Sequence, residues 1–431
     1  MNNTAPALIP AGNRIQFILL ALCFAAWGTA ANMTDPLVSV FSKTFSMSAL
    51  QSALVQFSYY GAYFCLAIPA ALINKVFSFK TGMLMGLGMA CTGAFLFYPA
   101  SQAMTYGYFL AALFILAGGL SILETSANPY VMKLGSEATA TRRLNLAQAF
   151  NPLGTNLGVF LAATLILPNL SSANAAARAT MNQMQLNEVV SAELNAVMTP
   201  YVGMAGFLAL LWIAFALCRP GVSSAHSEKA LVTESMGRLL RLPHYRFGVA
   251  AQFFNVGAQT CMWTFTIQYV MKALSADEVT GGHVLQYSMI LFLISRFVMT
   301  WLMGRYSPSR LLALMSATAI ALCLVVIMSL NVTGVIALIL VSGCLSLMFP
   351  TIYALSLHGL GDDAKLGAAG LVMAILGGAL FPMLQAYVMD TSGVGTSFII
   401  PAGCFAFITT YACYIIKTQG NVSVTHNEKR T

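Results

Sequence analysis

Twelve times between residues 15 and 416 the sequence runs apolar for long enough to cross a bilayer, which takes about 20 residues as a helix. The runs lie at about 15–40, 50–74, 81–100, 106–132, 144–167, 200–218, 247–271, 284–304, 311–330, 334–357, 366–389 and 397–416. They are continuous and lack the alternation of lipid-facing and lumen-facing residues that marks a membrane barrel. In lipid, such a segment satisfies its backbone polar groups only as a helix. The expected fold is all-α and integral to a membrane, with twelve transmembrane helices.

Composition excludes the other broad classes. Of 431 residues, 58% are hydrophobic and 8% carry a formal charge, against about a quarter charged in soluble domains. No soluble enzyme, disordered scaffold or secreted disulfide module can be built from that. None of the nine cysteines falls in a CxxC pair, so no metal ribbon, metal ligand set or disulfide framework is expected, and no cofactor either. The first run contains Asp35 and is too long for a signal peptide.

The basic residues orient the chain. Of the 21 Lys and Arg, 17 fall in one set of connections, three (Lys43, Arg178 and Lys272) in the opposite set, and Arg296 inside a run. By the positive-inside rule the rich set is cytoplasmic, which puts both termini in the cytoplasm; the expected location is the cell inner membrane. The net charge of +8 is thus a topology signal with the anionic bilayer as its partner; nucleic acid is not expected, and the chain is expected to act as a monomer.

Two connections are long. Residues 168–199 lie outside and carry a short amphipathic helix by expectation; residues 219–246 lie inside and split the twelve runs six and six. At an offset of 224 residues Gly119 lies over Gly343, Gly135 over Gly359 and Gly154 over Gly378, while Asp35 lies over Gln259 and Glu124 over Met348. Together these favour a duplicated six-helix unit: a first bundle over 1–218, a linker over 219–246 and a second bundle over 247–431. Two such halves form a known transporter architecture, with substrate bound at their interface.

Only Asp35, Glu124 and Arg296 are charged inside the runs. A charge in hydrocarbon costs about 3 kcal/mol or more, so it normally faces a partner or a pathway. Asp35 can alternatively be an interfacial cap before Pro36, and Arg296 either a gating counter-charge or a residue snorkelling to the cytoplasmic end. Neutral polar residues recur beside them at helical spacing: Asn32 with Asp35; Ser121, Glu124 and Asn128; Asn145, Gln148, Asn151 and Thr155; Gln252, Asn255, Gln259 and Trp263. Asn and Gln often glue membrane helices together, but four amide-rich stripes exceed that need and point to a polar cavity.

Amides and carboxylates match vicinal hydroxyls, and Trp27, Tyr59, Tyr60, Tyr63 and Trp263 offer apolar ring faces for C–H patches. A small neutral sugar or polyol fits both surfaces, whereas an anion would want several intramembrane cations. No Lys follows a Gly, so no Walker A loop is present and ATP is not the energy source. A membrane carboxylate near neutral pKa can take up and release a proton, and Na⁺ is open on the same residues.

The run Leu123-Glu124-Thr125-Ser126-Ala127-Asn128-Pro129-Tyr130 and the run Arg143-Leu144-Asn145-Leu146-Ala147-Gln148-Ala149-Phe150-Asn151 resemble the L-fucose:proton symporter family of the major facilitator superfamily. So do Val256-Gly257-Ala258-Gln259-Thr260, Pro350-Thr351-Ile352-Tyr353 and Ile375-Leu376-Gly377-Gly378. The resemblance spans nearly the whole chain and implies the major facilitator fold, alternating access and import of L-fucose or a related sugar by proton symport. It implies a proton-linked acid at Asp35, a sugar-linked acid at Glu124, and cavity amides at Asn32, Gln148 and Asn151. The sequence departs from the family in three places: Ala31 loses one amide of the first helix, Met348 stands where a Gln is expected, and Ala368 and Ala369 occupy Ser-like positions.

The resulting candidates are Asp35 and Glu124 for proton coupling; Asn32, Glu124, Asn128, Gln148, Asn151, Gln259 and Trp263 for substrate; and Arg296 for gating. No residue is expected to be catalytic. An exporter or antiporter of the same fold is the rival reading. An integral-membrane transferase fits less well, because the five His lie in connections or at helix ends without an HExxH.

Overall fold

The computed structural model describes residues 6–44, 49–103, 105–166, 180–218 and 232–428, without the side chains of 34–44, 49–54, 56–57, 162–163, 196–197 and 419–428. The first half of the chain forms α1 (Arg14–Thr44), α2 (Ala49–Val76), α3 (Phe79–Ala103), α4 (Tyr106–Lys133), α5 (Ala140–Gln148), α6 (Phe150–Leu161) and α7 (Gln183–Leu217). The second half forms α8 (Val232–Arg241), α9 (Pro243–Thr264), α10 (Thr266–Leu274), α11 (Glu278–Leu302), α12 (Pro308–Met328), α13 (Val332–Leu345) and α14 (Met348–Leu357). It ends with α15 (Ala364–Met373), α16 (Gly377–Ser392), α17 (Val394–Ser397) and α18 (Ile399–Glu428).

Every one of the twelve apolar runs is helical, and among the described residues ten helical stretches are long and apolar enough to cross a membrane. The other two runs form α2 and the pair α9–α10, the latter diluted by Arg246, Gln252, Asn255 and Gln259. The chain is an all-α, multi-pass membrane protein.

Several spans are broken, and proline explains two of the breaks. Pro152 lacks the N–H that would bond to the carbonyl of Gln148, and α5 gives way to α6 at Ala149. Pro350 likewise cannot bond back to Ser346, beside the break between α13 and α14. Inside α4, Pro129 frees the carbonyl of Thr125, which accepts from Asn74 Nδ2 at 3.3 Å.

The sixth span differs from its sequence expectation. Instead of a short outer helix followed by a span, α7 is one helix of 35 residues. Asn182 caps it: its side chain accepts from the Gln185 N–H at 2.8 Å, and Gln185 Oε1 accepts from the Asn182 N–H at 3.2 Å. This reciprocal cap fixes the helix start well before the apolar run begins. The first part of the outer connection, 167–179, lies outside the described residues, as does 219–231 of the inner one.

The residues gather into two compact units. One holds residues 12–127 and 150–223. There α1 packs along α6 and α3 along α7. Gly28 and Gly154 let α1 and α6 touch backbone to backbone, since a Cβ on Gly28 would lie 2.1 Å from the Asn151 carbonyl oxygen and one on Gly154 would lie 1.9 Å from that of Ala25. Thr29 Oγ1 donates across the same crossing to the Gly154 carbonyl at 3.0 Å. Small residues and such interhelical bonds drive packing where lipid removes the hydrophobic force.

The other unit holds residues 1–11, 128–149 and 224–431. Its helices α9, α12, α13 and α18 form an apolar core that includes Cys323, Leu338, Phe405 and Tyr411. Onto it packs α5, against α11 and α14, and the end of α4 belongs to the same unit. The amphipathic α8 lies against it as well: Leu239 and Ser235 are buried, and Arg238 grips the Asp363 carboxylate with two bonds of 2.8 Å.

Candidate functional site

The expected polar residues fall into two groups, one in each unit. In the first, Glu124 of α4 is 2% exposed and lines a narrow cleft with Cys23, Phe24, Trp27, Leu123 and Ala127. Trp27 Nε1 donates to Tyr63 Oη at 2.6 Å, and Ser121 Oγ donates to the Tyr63 carbonyl at 3.1 Å. Tyr63 also lies within electrostatic reach of Glu124. The carboxyl is thus set in a mostly apolar cleft beside an aromatic pair that carries its own hydroxyl and indole N–H.

Along α1, Asn32 is half-buried and donates to the Gly28 carbonyl at 2.9 Å and to Thr155 Oγ1 at 3.1 Å. Asn151, also half-buried, donates at 3.4 Å to the Phe24 carbonyl. Both amides keep their carbonyl oxygens free of these contacts, and both are partly accessible. Asp35 belongs to α1, but its side chain lies outside the described residues.

The second group is continuous. Gln148 Nε2 donates to Asn128 Oδ1 at 2.7 Å, both side chains being buried. The Gln148 carbonyl, freed by Pro152, accepts from Arg296 Nη1 at 3.2 Å. The Arg296 guanidinium is 4% exposed and sits 4.7 Å from the ring centroid of Phe292, a cation–π contact. Phe292 meets the Trp263 ring edge-on at 5.1 Å, and Trp263 Nε1 donates to Ser342 Oγ at 3.3 Å. A chain of contacts therefore links Asn128, Gln148, Arg296 and Trp263. Gln259 is half-buried on α9, one turn before Trp263.

Three contacts near this chain were not expected from the sequence. Asn145 Nδ2 donates to Thr351 Oγ1 at 3.2 Å, and Arg142 Nε to the Thr300 carbonyl at 3.1 Å. Glu137 accepts from the Gly359 N–H at 3.4 Å and faces His358 Nε2 at 3.7 Å. Together they tie residues 137–148 to the ends of α11 and α14. The freed carbonyl of Gln148 could have been read in advance from Pro152; the partners of Asn145, Arg142 and Glu137 could not, because they lie over 150 positions away.

Arg143 is the largest buried group the sequence left without a role. It is 0% exposed, and its partners among the described residues are oxygens of no formal charge. Nε donates to the Val131 carbonyl at 2.8 Å, Nη1 to Thr139 Oγ1 at 2.9 Å and to the Leu8 carbonyl at 3.2 Å, and Nη2 to the Met132 carbonyl. These carbonyls include those of the last turn of α4, where the helix dipole favours a cation. Arg143 thereby fixes the turn from α4 into α5 and sets the helix that carries Asn145 and Gln148.

Comparison with known proteins agrees with this architecture. The sequence matches the model of the Major Facilitator Superfamily over residues 18–375. It is 40% identical over 409 residues to an L-fucose-proton symporter of Haemophilus influenzae, covering 92% of this chain and 95% of that one. It is 36% identical to an L-fucose-proton symporter of Escherichia coli, covering 94% of each. A glucose/galactose transporter of Brucella abortus is 35% identical over 91% of this chain and 92% of its own. Among solved structures, a major facilitator transporter, FucP, in the outward conformation superposes with a TM-score of 0.88 at 35% identity, covering 94% of this chain and 99% of that one.

The chain is a transporter of the major facilitator superfamily and not an enzyme. Within that superfamily it belongs to the family of the L-fucose-proton symporters.

Proposed function

We propose that the protein imports a small neutral monosaccharide, L-fucose or a related sugar, together with a proton, by alternating access across the cell inner membrane. The observation that carries this reading is Glu124: a carboxyl buried in a largely apolar cleft beside Trp27 and Tyr63, in a chain whose relatives of 36–40% identity are named L-fucose-proton symporters. A carboxyl in that cleft is within reach of a ligand seated against Trp27, and Glu124 is placed there to hydrogen-bond a sugar hydroxyl. Trp27 offers a flat face for the sugar's C–H surface.

In this account Asp35 carries the coupled proton, Glu124 binds sugar and responds to its own protonation, and Asn32, Asn128, Gln148, Asn151, Gln259 and Trp263 supply further substrate contacts. Arg296 acts as a gating residue, since its guanidinium holds the backbone of α5 at Gln148. Coupling requires that proton and sugar favour the same conformational change. The two six-helix bundles are residues 1–218 and 247–431, joined by 219–246; both termini are cytoplasmic by charge asymmetry, and the unit of function is the monomer in the anionic bilayer.

A second sugar is supported by specific residues. The positions of Met348, Ala368 and Ala369 carry no hydroxyl or amide, and a 35%-identical relative is named a glucose/galactose transporter. A ligand screen of the purified protein with L-fucose, D-galactose and D-glucose separates the two readings, because a ligand raises the apparent melting temperature of the state that binds it. L-Fucose giving the largest shift supports the first reading, and a shift with D-glucose or D-galactose alone supports the second.

A further inference from the structure

Gln252 and Asn255 are 0% exposed, and among the described residues none of their four amide atoms has a hydrogen-bond partner. They stand three residues apart on α9, on the face that also carries Gly248. That face is turned to α14: a Cβ on Gly248 would lie 1.9 Å from Ser356 Oγ. Because α14 runs back toward the end from which α9 leaves, this contact carries Gln252 and Asn255 to the level of Ile352 and Met348. Neither of those apolar side chains can bond an amide.

The cover is a separable piece. Helix α14 starts at the break beside Pro350, and Ser346 Oγ at that break is itself buried without a partner. That same end is held by the bond from Asn145 to Thr351, in the first turn of the helix. Two buried amides with nothing to bond are an expensive arrangement. It makes sense where another state of the molecule gives them partners.

We propose that Gln252 and Asn255 form a second station for the transported sugar, on the cytoplasmic side, which α14 covers in the present state and uncovers when its bond to α5 is released. The proposal rests on the sugar-transport reading and adds to it a ligand contact used at one membrane face only. Two amides three residues apart present donors and acceptors together, which suits adjacent hydroxyls.

The test uses Gln252→Leu, Asn255→Leu and the double variant of the full chain. L-Fucose uptake is measured in right-side-out vesicles and in inside-out vesicles, beside the melting temperature of each purified variant without sugar. Leu removes the unpaired atoms at nearly constant volume, so the covered state gains: melting rises by about 2 °C or more. The cytoplasmic-side KM rises about fivefold while the outer-side KM stays within twofold of wild type. Equal rises at both faces would overturn the station, making the pair part of a single site reached from either side. A lower melting temperature, or an unchanged KM at both faces, would overturn it too, as expected of plain packing residues. If wild type itself moves no sugar, the transport reading falls and takes the station with it; failure of the station alone leaves wild-type uptake intact.

Discussion

Glu124 and Asp35 divide the labour of coupling in this account, and single-atom changes separate their roles. Glu124→Gln keeps shape and hydrogen-bonding capacity but removes the titration and the charge-assisted bond, a loss of about 1.5–3 kcal/mol when a charged partner is involved. Sugar affinity is predicted to fall at least tenfold in equilibrium binding; unchanged affinity would remove Glu124 from the site. Asp35→Asn is predicted to abolish uphill accumulation while counterflow exchange persists; loss of both exchange and binding would make Asp35 a sugar ligand instead. The buried Glu124 was legible in the sequence because charge within an apolar run is rare enough to stand out. Arg143 was not, since an arginine in a connection reads as topology. Its burial depends on the carbonyls of Val131, Met132 and Leu8, which no spacing rule brings to it.

At the scale of elements, apolar runs announced the spans, and prolines account for two of their breaks. The α5–α6 break matters most, because the carbonyl that Pro152 frees is the one Arg296 binds. Arg143 anchors the same segment from the other end. Arg143→Ala would leave helix-end carbonyls unpaired, and it is predicted to lower stability by about 2–4 kcal/mol, read as a lower melting temperature, with Arg143→Lys recovering only part. The α1–α6 crossing is stricter still: Gly154→Val places atoms where the Ala25 carbonyl already lies, and the variant is predicted to accumulate poorly and to elute as aggregate in detergent. Monodisperse, active Gly154→Val would contradict the crossing.

One element responds to pH. His244, at the start of α9, is half-buried, and burial followed by the neighbouring His358 lowers its pKa below the ordinary 6.5. The unfolded chain then binds the proton more readily than the folded one, so this contribution is complete above the ordinary pKa and is lost as pH falls below it. Melting temperature is predicted to drop between pH 7 and pH 5.5, and His244→Gln to flatten that drop. The duplicated pattern of the two halves, by contrast, said nothing of where 128–149 would pack. That segment gathers with residues 224–431 through Asn145, Arg142 and Glu137, contacts set by tertiary structure and carried by polar side chains of ordinary type.

For the whole molecule, the scarcity of charge named the solvent, and the placement of the exceptions proposes the mechanism. The all-α membrane fold and the buried acid Glu124 could be read from one sequence. The particular sugar could not, because Met348, Ala368 and Ala369 change the polarity of the second half without saying what replaces it. The claim that joins these scales is that sugar and proton cross together. Its most direct measurement is the pH of a weakly buffered medium around de-energised right-side-out vesicles as L-fucose is added. The account predicts a prompt alkalinisation as protons enter with the sugar, abolished in Asp35→Asn. A medium whose pH does not move, with a sugar that demonstrably binds, would contradict proton symport.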